Sequence, residues 1–289
     1  MDVKIHVDFH PSGISPPGIN PLCSSHDFLT VQESLRELLE SYGRGKMTLE
    51  EALSRIRVLS FRTVGEVAKL DTCRANRIGI PEAILAEGKD KKDLADISLA
   101  HLEETGSVII TRVSQEQLEV LQAARLPAGA SLEHNSRART VVIRCGSVGP
   151  KMGKVGILAA GTADIPVAEE ARVVAEEMGC SVACEYDVGV AGIHRLFPCL
   201  ERMLDVGAFV VAAGREGTLP AVVAGLVEAP VIGLPISTGY GLGGGGLAAL
   251  YSMLQSCSVL AVVNVDAGFV AGAYAAKIAR QKAYGQKQF

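Results

Sequence analysis

From residue 154 onward, apolar segments alternate five times with helical ones, and this alternation constrains the fold more than any other feature of the chain. Strands are expected near residues 154–160, 181–187, 208–213, 230–235 and 259–264. Helices are expected near 165–178, 192–205, 217–227, 246–256 and 267–284. Strands joined through helices by short links run parallel, with the helices packed on the faces of the sheet. Composition agrees: 48% of residues are hydrophobic but only 4% aromatic, with no Trp, so Ala, Val, Leu and Ile must fill the core. The expected architecture is α/β, a three-layer flavodoxin-like sandwich around a parallel sheet.

Polar and flexible residues collect at the expected carboxyl ends of these strands, where open α/β sheets bind ligands. Gly161-Thr162-Ala163-Asp164 ends one strand and opens a helix, with Pro166 in its first turn. Free N–H groups there favour an anion. Asp164 reads as a helix N-cap with a functional role beside it. His194-Arg195 opens the next helix; Arg pairs bidentately with carboxylate or phosphate, and His moves protons near neutral pH. Glu216, in Gly214-Arg215-Glu216-Gly217, could cap a helix, bind a metal or act as a base. The stretch Gly239 to Gly246 has neither dinucleotide-fingerprint nor Walker spacing. It suits close backbone approach to a ligand, a mobile lid or a plain link. Cys257, in Gln255-Ser256-Cys257-Ser258, is either a spectator or a nucleophile.

The first half is organised differently. Residues 1–28 hold four prolines and three histidines and read as an N-terminal extension. Residues 29–149 read as a smaller mixed α/β domain led by a helical hairpin, and 150–289 as the catalytic domain. The hairpin is announced by two capping boxes, Thr30-x-x-Glu33 and Thr48-x-x-Glu51. Leu35, Leu38 and Leu39 give the first helix its apolar face, and Leu53, Ile56 and Leu59 the second. Strands are expected at 84–86, 107–112 and 140–144, with helices ending near 104 and spanning 114–124. The glycines between 145 and 153 mark the boundary.

A net charge of −4 with mixed signs leaves no electrostatic footprint for nucleic acid. No apolar run reaches membrane-spanning length, and no secretory h-region is visible. Seven cysteines without a paired framework point to a reducing, cytoplasmic setting. Cys180 and Cys184 read as small core residues.

The second domain resembles PurE, the purine-pathway carboxylase of aminoimidazole ribonucleotide, in the order and spacing of Gly161-Thr162-Ala163-Asp164, His194-Arg195 and Leu234-Pro235-Ile236-Ser237. It resembles the LarB family more closely, the pyridinium biscarboxylic acid mononucleotide synthases of nickel-pincer nucleotide biosynthesis. That resemblance spans residues 150–284 and takes in Glu216, Thr238-Gly239-Tyr240-Gly241, Ser256-Cys257 and Asn264-Val265-Asp266. It extends into the first domain through Asp71, Arg74, Arg77, Gly79, Pro81, Glu82 and Gly88-Lys89. Ala86-Glu87 stands where the family has a Tyr followed by a small residue.

The resemblance implies carboxylation of the pyridinium ring of nicotinic acid adenine dinucleotide, with phosphoanhydride hydrolysis releasing AMP. It implies Cys257 as the nucleophile that forms a ring adduct, and His194 and Arg195 as holders of a carboxylate, with His194 moving the proton. Asp164 and Glu216 are then candidates for Mg2+ or for the hydrolytic water. Gly161 and Thr162 would contact phosphate, and Gly214, Thr238, Gly239 and Tyr240 would lie beside the substrate. No organic cofactor is implied. Two rivals share the pattern: a purine-pathway carboxylase or mutase, and a non-catalytic nucleotide-binding module. The relatives' assembly implies a homo-oligomer, an octamer with sites at subunit contacts. Chain order supports that expectation, because Cys257 follows a helix and precedes the last strand. That puts it at the strands' amino ends, opposite the end that carries His194, and a strand of this length spans about 17–20 Å.

Overall fold

The computed structural model describes residues 31–286 apart from 60–61, 65–67, 72–73 and 147–148. The first capping box, at Thr30, and the extension 1–28 lie outside the described residues. By its backbone contacts the chain forms two compact units, Met1–Leu59 and Ser60–Phe289.

The described part of the first unit is a hairpin of α1 (Val31–Gly43) and α2 (Leu49–Leu59). The box at Thr48 is fully formed: its N–H donates to Glu51 Oε2 at 2.8 Å, and its hydroxyl accepts the Glu51 N–H at 3.2 Å. Leu38 and Ala52 are buried. Leu39 and Leu53, which helical spacing assigns to the same apolar faces, stay exposed, because two short helices bury only a narrow seam.

The second unit begins with an antiparallel ribbon, β1 (Arg62–Val64) and β2 (Ala68–Leu70), and a short helix α3 (Arg74–Ile78). A four-stranded sheet follows, built from β3 (Ala83–Leu85), β4 (Ser107–Thr111), β5 (Ala130–Asn135) and β6 (Thr140–Cys145) in the order β3-β4-β6-β5. Helices α4 (Lys91–Thr105) and α5 (Gln115–Ala123) accompany it, each opened by a side-chain cap, Asp90 and Ser114. Leu94, Leu102, Ile110, Leu121 and Ile143 form the core of this layer.

Five parallel strands carry the second sheet: β7 (Lys154–Ala159), β8 (Ser181–Glu185), β9 (Ala208–Ala213), β10 (Val231–Pro235) and β11 (Ala261–Val262). Their order, β11-β10-β9-β7-β8, is the flavodoxin order, with the direction of winding reversing between β7 and β9. Alternation along each strand sends side chains to two separate cores. Val155, Ile157, Val210 and Ala212 face α6 (Ile165–Glu177) and α10 (Gly268–Gln286). Leu158, Phe209 and Val211 face α7 (Leu196–Glu201), α8 (Leu219–Ala224) and α9 (Leu247–Leu254). Helices α6 and α10 meet backbone to backbone: a Cβ on Gly272 would lie 2.3 Å from the Ala171 carbonyl oxygen. Small residues here let both helices sit on one face. Cys180 and Cys184 pack into the same region, and burial pushes both thiols up to about 11.

In the second half of the chain, two elements differ from expectation. The helix near 192–205 breaks into a 3-10 segment, Val190–Arg195, kinked at Gly192, followed by α7. The last strand shrinks to two residues because it is an edge with one neighbour, and Val259, inside the apolar run, is exposed.

Candidate functional site

The loops after four strands converge at the point where the sheet reverses its winding. Between them lies a cleft of about 680 Å³, lined by residues of 160–164, 187–191 and 213–219 and by Thr238 and Tyr240. That volume is in the range of small-molecule sites. It contains Gly161, Thr162, Asp164, Glu216, Thr238 and Tyr240, so most of the residues singled out from the strand ends share one cavity.

Asp164 is the buried centre of the cleft. The side chain does not cap α6; the helix-opening residue makes no side-chain cap bond. Instead Oδ2 accepts the Gly161 N–H at 2.9 Å and closes the tight turn that leaves β7, while Oδ1 accepts the Thr238 hydroxyl at 3.2 Å. The N-cap expectation fails because a 3-10 turn precedes α6, and the carboxylate satisfies that turn's own donor. Burial raises the carboxyl above its ordinary range, against the two hydrogen bonds that lower it, and the nearby Glu216 charge raises it further.

Gly214 makes this contact fit. A Cβ there would lie 2.5 Å from Thr238 Oγ1 and 2.8 Å from Asp164 Oδ1. Gly214 is therefore needed for close approach between two loops, and the Gly239 backbone packs against its carbonyl oxygen in the same way. Neither glycine lines the cleft.

Glu216 and Arg215 sit exposed at the mouth. The Arg215 guanidinium lies 4.5 Å from the Tyr240 ring centroid and donates to the Tyr240 hydroxyl. Arg215 is the sole cation among the lining residues, and residue type alone did not flag it. The sequence signal was its place one residue before Glu216 at a strand carboxyl end. Asp187, also lining, adopts a positive φ of 58° and pairs with Arg195.

Besides Gly214 and Gly239, three expected site residues do not line the cleft. His194 and Arg195 are exposed on the 3-10 segment beyond it, and Arg195 reaches it only through Asp187. Cys257 is exposed in the link between α9 and β11. Ala261, four residues on, is in register with Ile232 near the start of β10. Cys257 therefore belongs to the amino-end side of the sheet, and the cleft to the carboxyl-end side.

Among the described residues no group of three or more His, Cys, Asp or Glu side chains could hold a metal ion. An all-protein metal cage is thus not what the described donors offer. Asp164 has both oxygens engaged, and Glu216 is the exposed carboxylate. Of the two carboxylates, Glu216 is therefore the one placed to meet a divalent cation that a ligand's phosphates would carry. Among the described residues no helix is long and apolar enough to cross a membrane.

Residues 61–145 match the family model of a LarB/PurE-like N-terminal domain, and residues 154–288 match that of AIR carboxylase. A Methanocaldococcus jannaschii protein described as uncharacterized, MJ0165, is 42% identical over 255 residues, covering 86% of this chain and 98% of that one. The N5-carboxyaminoimidazole ribonucleotide mutase of Thermotoga maritima is 31% identical over 120 residues, covering 39% of this chain and 66% of the mutase. The crystal structure of Treponema denticola PurE superposes at a TM-score of 0.33 with 19% identity, covering 47% of this chain and 93% of that one.

Proposed function

Because the chain belongs to the LarB family, with a PurE-like carboxylase domain behind a LarB-type first domain, we propose that it carboxylates the pyridinium ring of nicotinic acid adenine dinucleotide. The phosphoanhydride is cleaved by water, releasing AMP. The coarser class, carboxylase or mutase, rests on the carboxylase domain and the mutase relatives. The finer reading is carried by one observation: a chain with this first domain exposes the Cys257 thiol.

A pyridinium ring is electron-poor and does not attack carbon dioxide. Addition of the Cys257 thiolate to a ring carbon forms a C–S bond and gives a neutral dienamine. Its nucleophilic carbon then bonds to carbon dioxide. Loss of the ring proton to a base and departure of the thiolate restore aromaticity, so no oxidant is needed. A thiolate suits both roles, as strong nucleophile and competent leaving group. His194 takes the proton, and Arg195 with Arg215 holds the anionic groups of the substrate. Gly161 and Thr162 receive phosphate at the loop after β7. Glu216 orients the hydrolytic water. Mg2+ brought in with the substrate would be held on the protein side by Glu216 and would supply charge neutralisation for anhydride cleavage.

Since Cys257 and the cleft lie at opposite ends of the sheet, we propose a homo-oligomer, an octamer, in which a neighbouring chain brings Cys257 to each cleft. The apolar surface supports this. Leu247, Tyr251 and Leu254 project from one side of α9, Leu242 is fully exposed two residues after Tyr240, and Val259 is 95% exposed two residues after Cys257. Isolated chains rarely leave so much apolar surface in water.

The mutase relatives favour a second reading, carboxyl transfer on an imidazole ribonucleotide. That chemistry needs no thiol. Incubation with nicotinic acid adenine dinucleotide, bicarbonate and Mg2+ tests the first reading. Turnover of the imidazole ribonucleotide by a Cys257→Ala protein would establish the second.

A further inference from the structure

We propose that Arg112, in the first α/β layer, is a positioning residue for the cleft, holding the Asp266 turn and through it the Ser237–Thr238 segment. The proposal rests on the reading of the cleft as the substrate site.

Arg112 follows β4 and lies far from the cleft in sequence. Its guanidinium reaches across 154 positions, where Nη2 donates to the Asp266 carbonyl oxygen at 2.8 Å. The other arm, Nη1, donates to Glu87 Oε2 at 3.1 Å. Asp266 in turn grips the end of β10. Its N–H donates to the Pro235 carbonyl at 2.9 Å, and its Oδ1 accepts the Ser237 N–H at 2.9 Å. The next residue, Thr238, supplies the hydroxyl that binds Asp164. A path of hydrogen bonds linked through the backbone of Asp266 and of Ser237–Thr238 therefore runs from the first layer to the buried carboxylate of the cleft.

Backbone strain marks the same path. Among the described residues, the non-glycine residues with positive φ are Arg112, Arg139, Asp187 and Asp266, at 55°, 51°, 58° and 55°. Such conformations persist only where surroundings over-determine them, and they cluster at functional sites. Asp187 lines the cleft. The other three form the tether. Arg139 clamps the Arg112 turn, donating to the Val113 and Arg112 carbonyls at 3.2 and 3.3 Å, while the Val113 N–H donates back to Arg139 at 2.8 Å. These bonds fix the backbone from which the Arg112 side chain departs, while Glu87 and the Asp266 carbonyl hold its guanidinium at the far end.

Arg112→Gly in the full chain separates positioning from folding. Glycine adopts φ near 55° without strain, so the turn survives and only the guanidinium is lost. Tm should hold. Amide exchange in peptides spanning the β10 loop should quicken at Ser237, read without substrate. KM for nicotinic acid adenine dinucleotide should rise about tenfold with kcat within about twofold, in the range for residues acting through a relay. Glu87→Gln, which leaves the Asp266 contact intact, should behave as wild type. Arg112→Lys should recover part of the loss, and it serves as the test protein if the glycine variant does not fold. Unchanged Ser237 exchange in the variant overturns the proposal, as does a fall in Tm that tracks the rise in KM. Faster exchange in a protein that ignores the dinucleotide would leave the tether standing and sink the substrate assignment instead.

Discussion

The Thr238 hydroxyl donates to Asp164 Oδ1 at 3.2 Å across 74 positions of sequence, joining the loops after β7 and β10 over Gly214. This bond sets Asp164 apart from Glu216, the other carboxylate of the cleft. Asp164 is 5% exposed and fully engaged, whereas Glu216 faces solvent.

The two carboxylates should therefore fail differently. Asp164→Asn keeps an oxygen for the Gly161 N–H and can donate to the Thr238 hydroxyl, but it removes the charge that strengthens both bonds. It should cost about 1–3 kcal/mol of stability, together with activity. Glu216→Gln should leave thermal unfolding unchanged while slowing anhydride cleavage at least about tenfold. Parallel melting curves and AMP-release assays check both. Equal losses in the two proteins would make Glu216 structural.

Glu170, on α6, predicts a pH dependence. Burial pushes its carboxyl up to about 7, against the Arg112 charge, the Thr111 hydroxyl and the Phe269 N–H, which lower it. Its folded value lies above the unfolded 4.5, so the protonated form is favoured in the folded state. The stability it contributes is fully present below pH 4.5 and is lost as pH rises through about 7. The loss amounts to about 3 kcal/mol as an order of magnitude. Glu170→Gln should flatten this part of the profile and gain most, relative to wild type, above pH 7. Denaturant titrations of both proteins at pH 5 and pH 8 measure the difference, and identical pH slopes would contradict the account.

Much of this was legible in the sequence, for reasons that differ by residue. The five strand ends were readable because apolar runs and Gly-rich loops punctuate them, and Asp164, Glu216 and Thr238 come from those loops into one cleft. The edge strand β5 was not legible: Ala130 to Asn135 offers one large apolar residue, Leu132, and gains its identity from pairing with β6. The role of Asp164 was misassigned because a 3-10 turn and a following α-helix look alike until the donor of each N–H is known. The Arg112 tether depends on residues 154 apart, and no local pattern encodes it.

Cys257 should be dispensable for folding and essential for turnover. Its side chain is exposed, so Cys257→Ala should leave Tm unchanged and abolish carboxylation. Intact-protein mass analysis during turnover should show the dinucleotide-derived adduct on wild type and none on the variant. A Cys257→Ala protein that keeps a substantial share of the wild-type rate removes the thiol from the mechanism.

Shared sites predict complementation. Cys257→Ala and His194→Ala proteins, each inactive, should regain activity when their subunits exchange, because some clefts then receive a wild-type thiol and a wild-type imidazole. Mixed oligomers that form yet stay inactive would place a complete site in every chain.

The central claim is tested most directly by incubating the protein with nicotinic acid adenine dinucleotide, 13C-labelled bicarbonate and Mg2+ and resolving the products by mass. The account predicts a pyridinium mononucleotide carrying one additional, labelled carboxyl group, and AMP in equal amount. Recovery of the dinucleotide unchanged, or AMP release without labelled carbon on the ring, would contradict it.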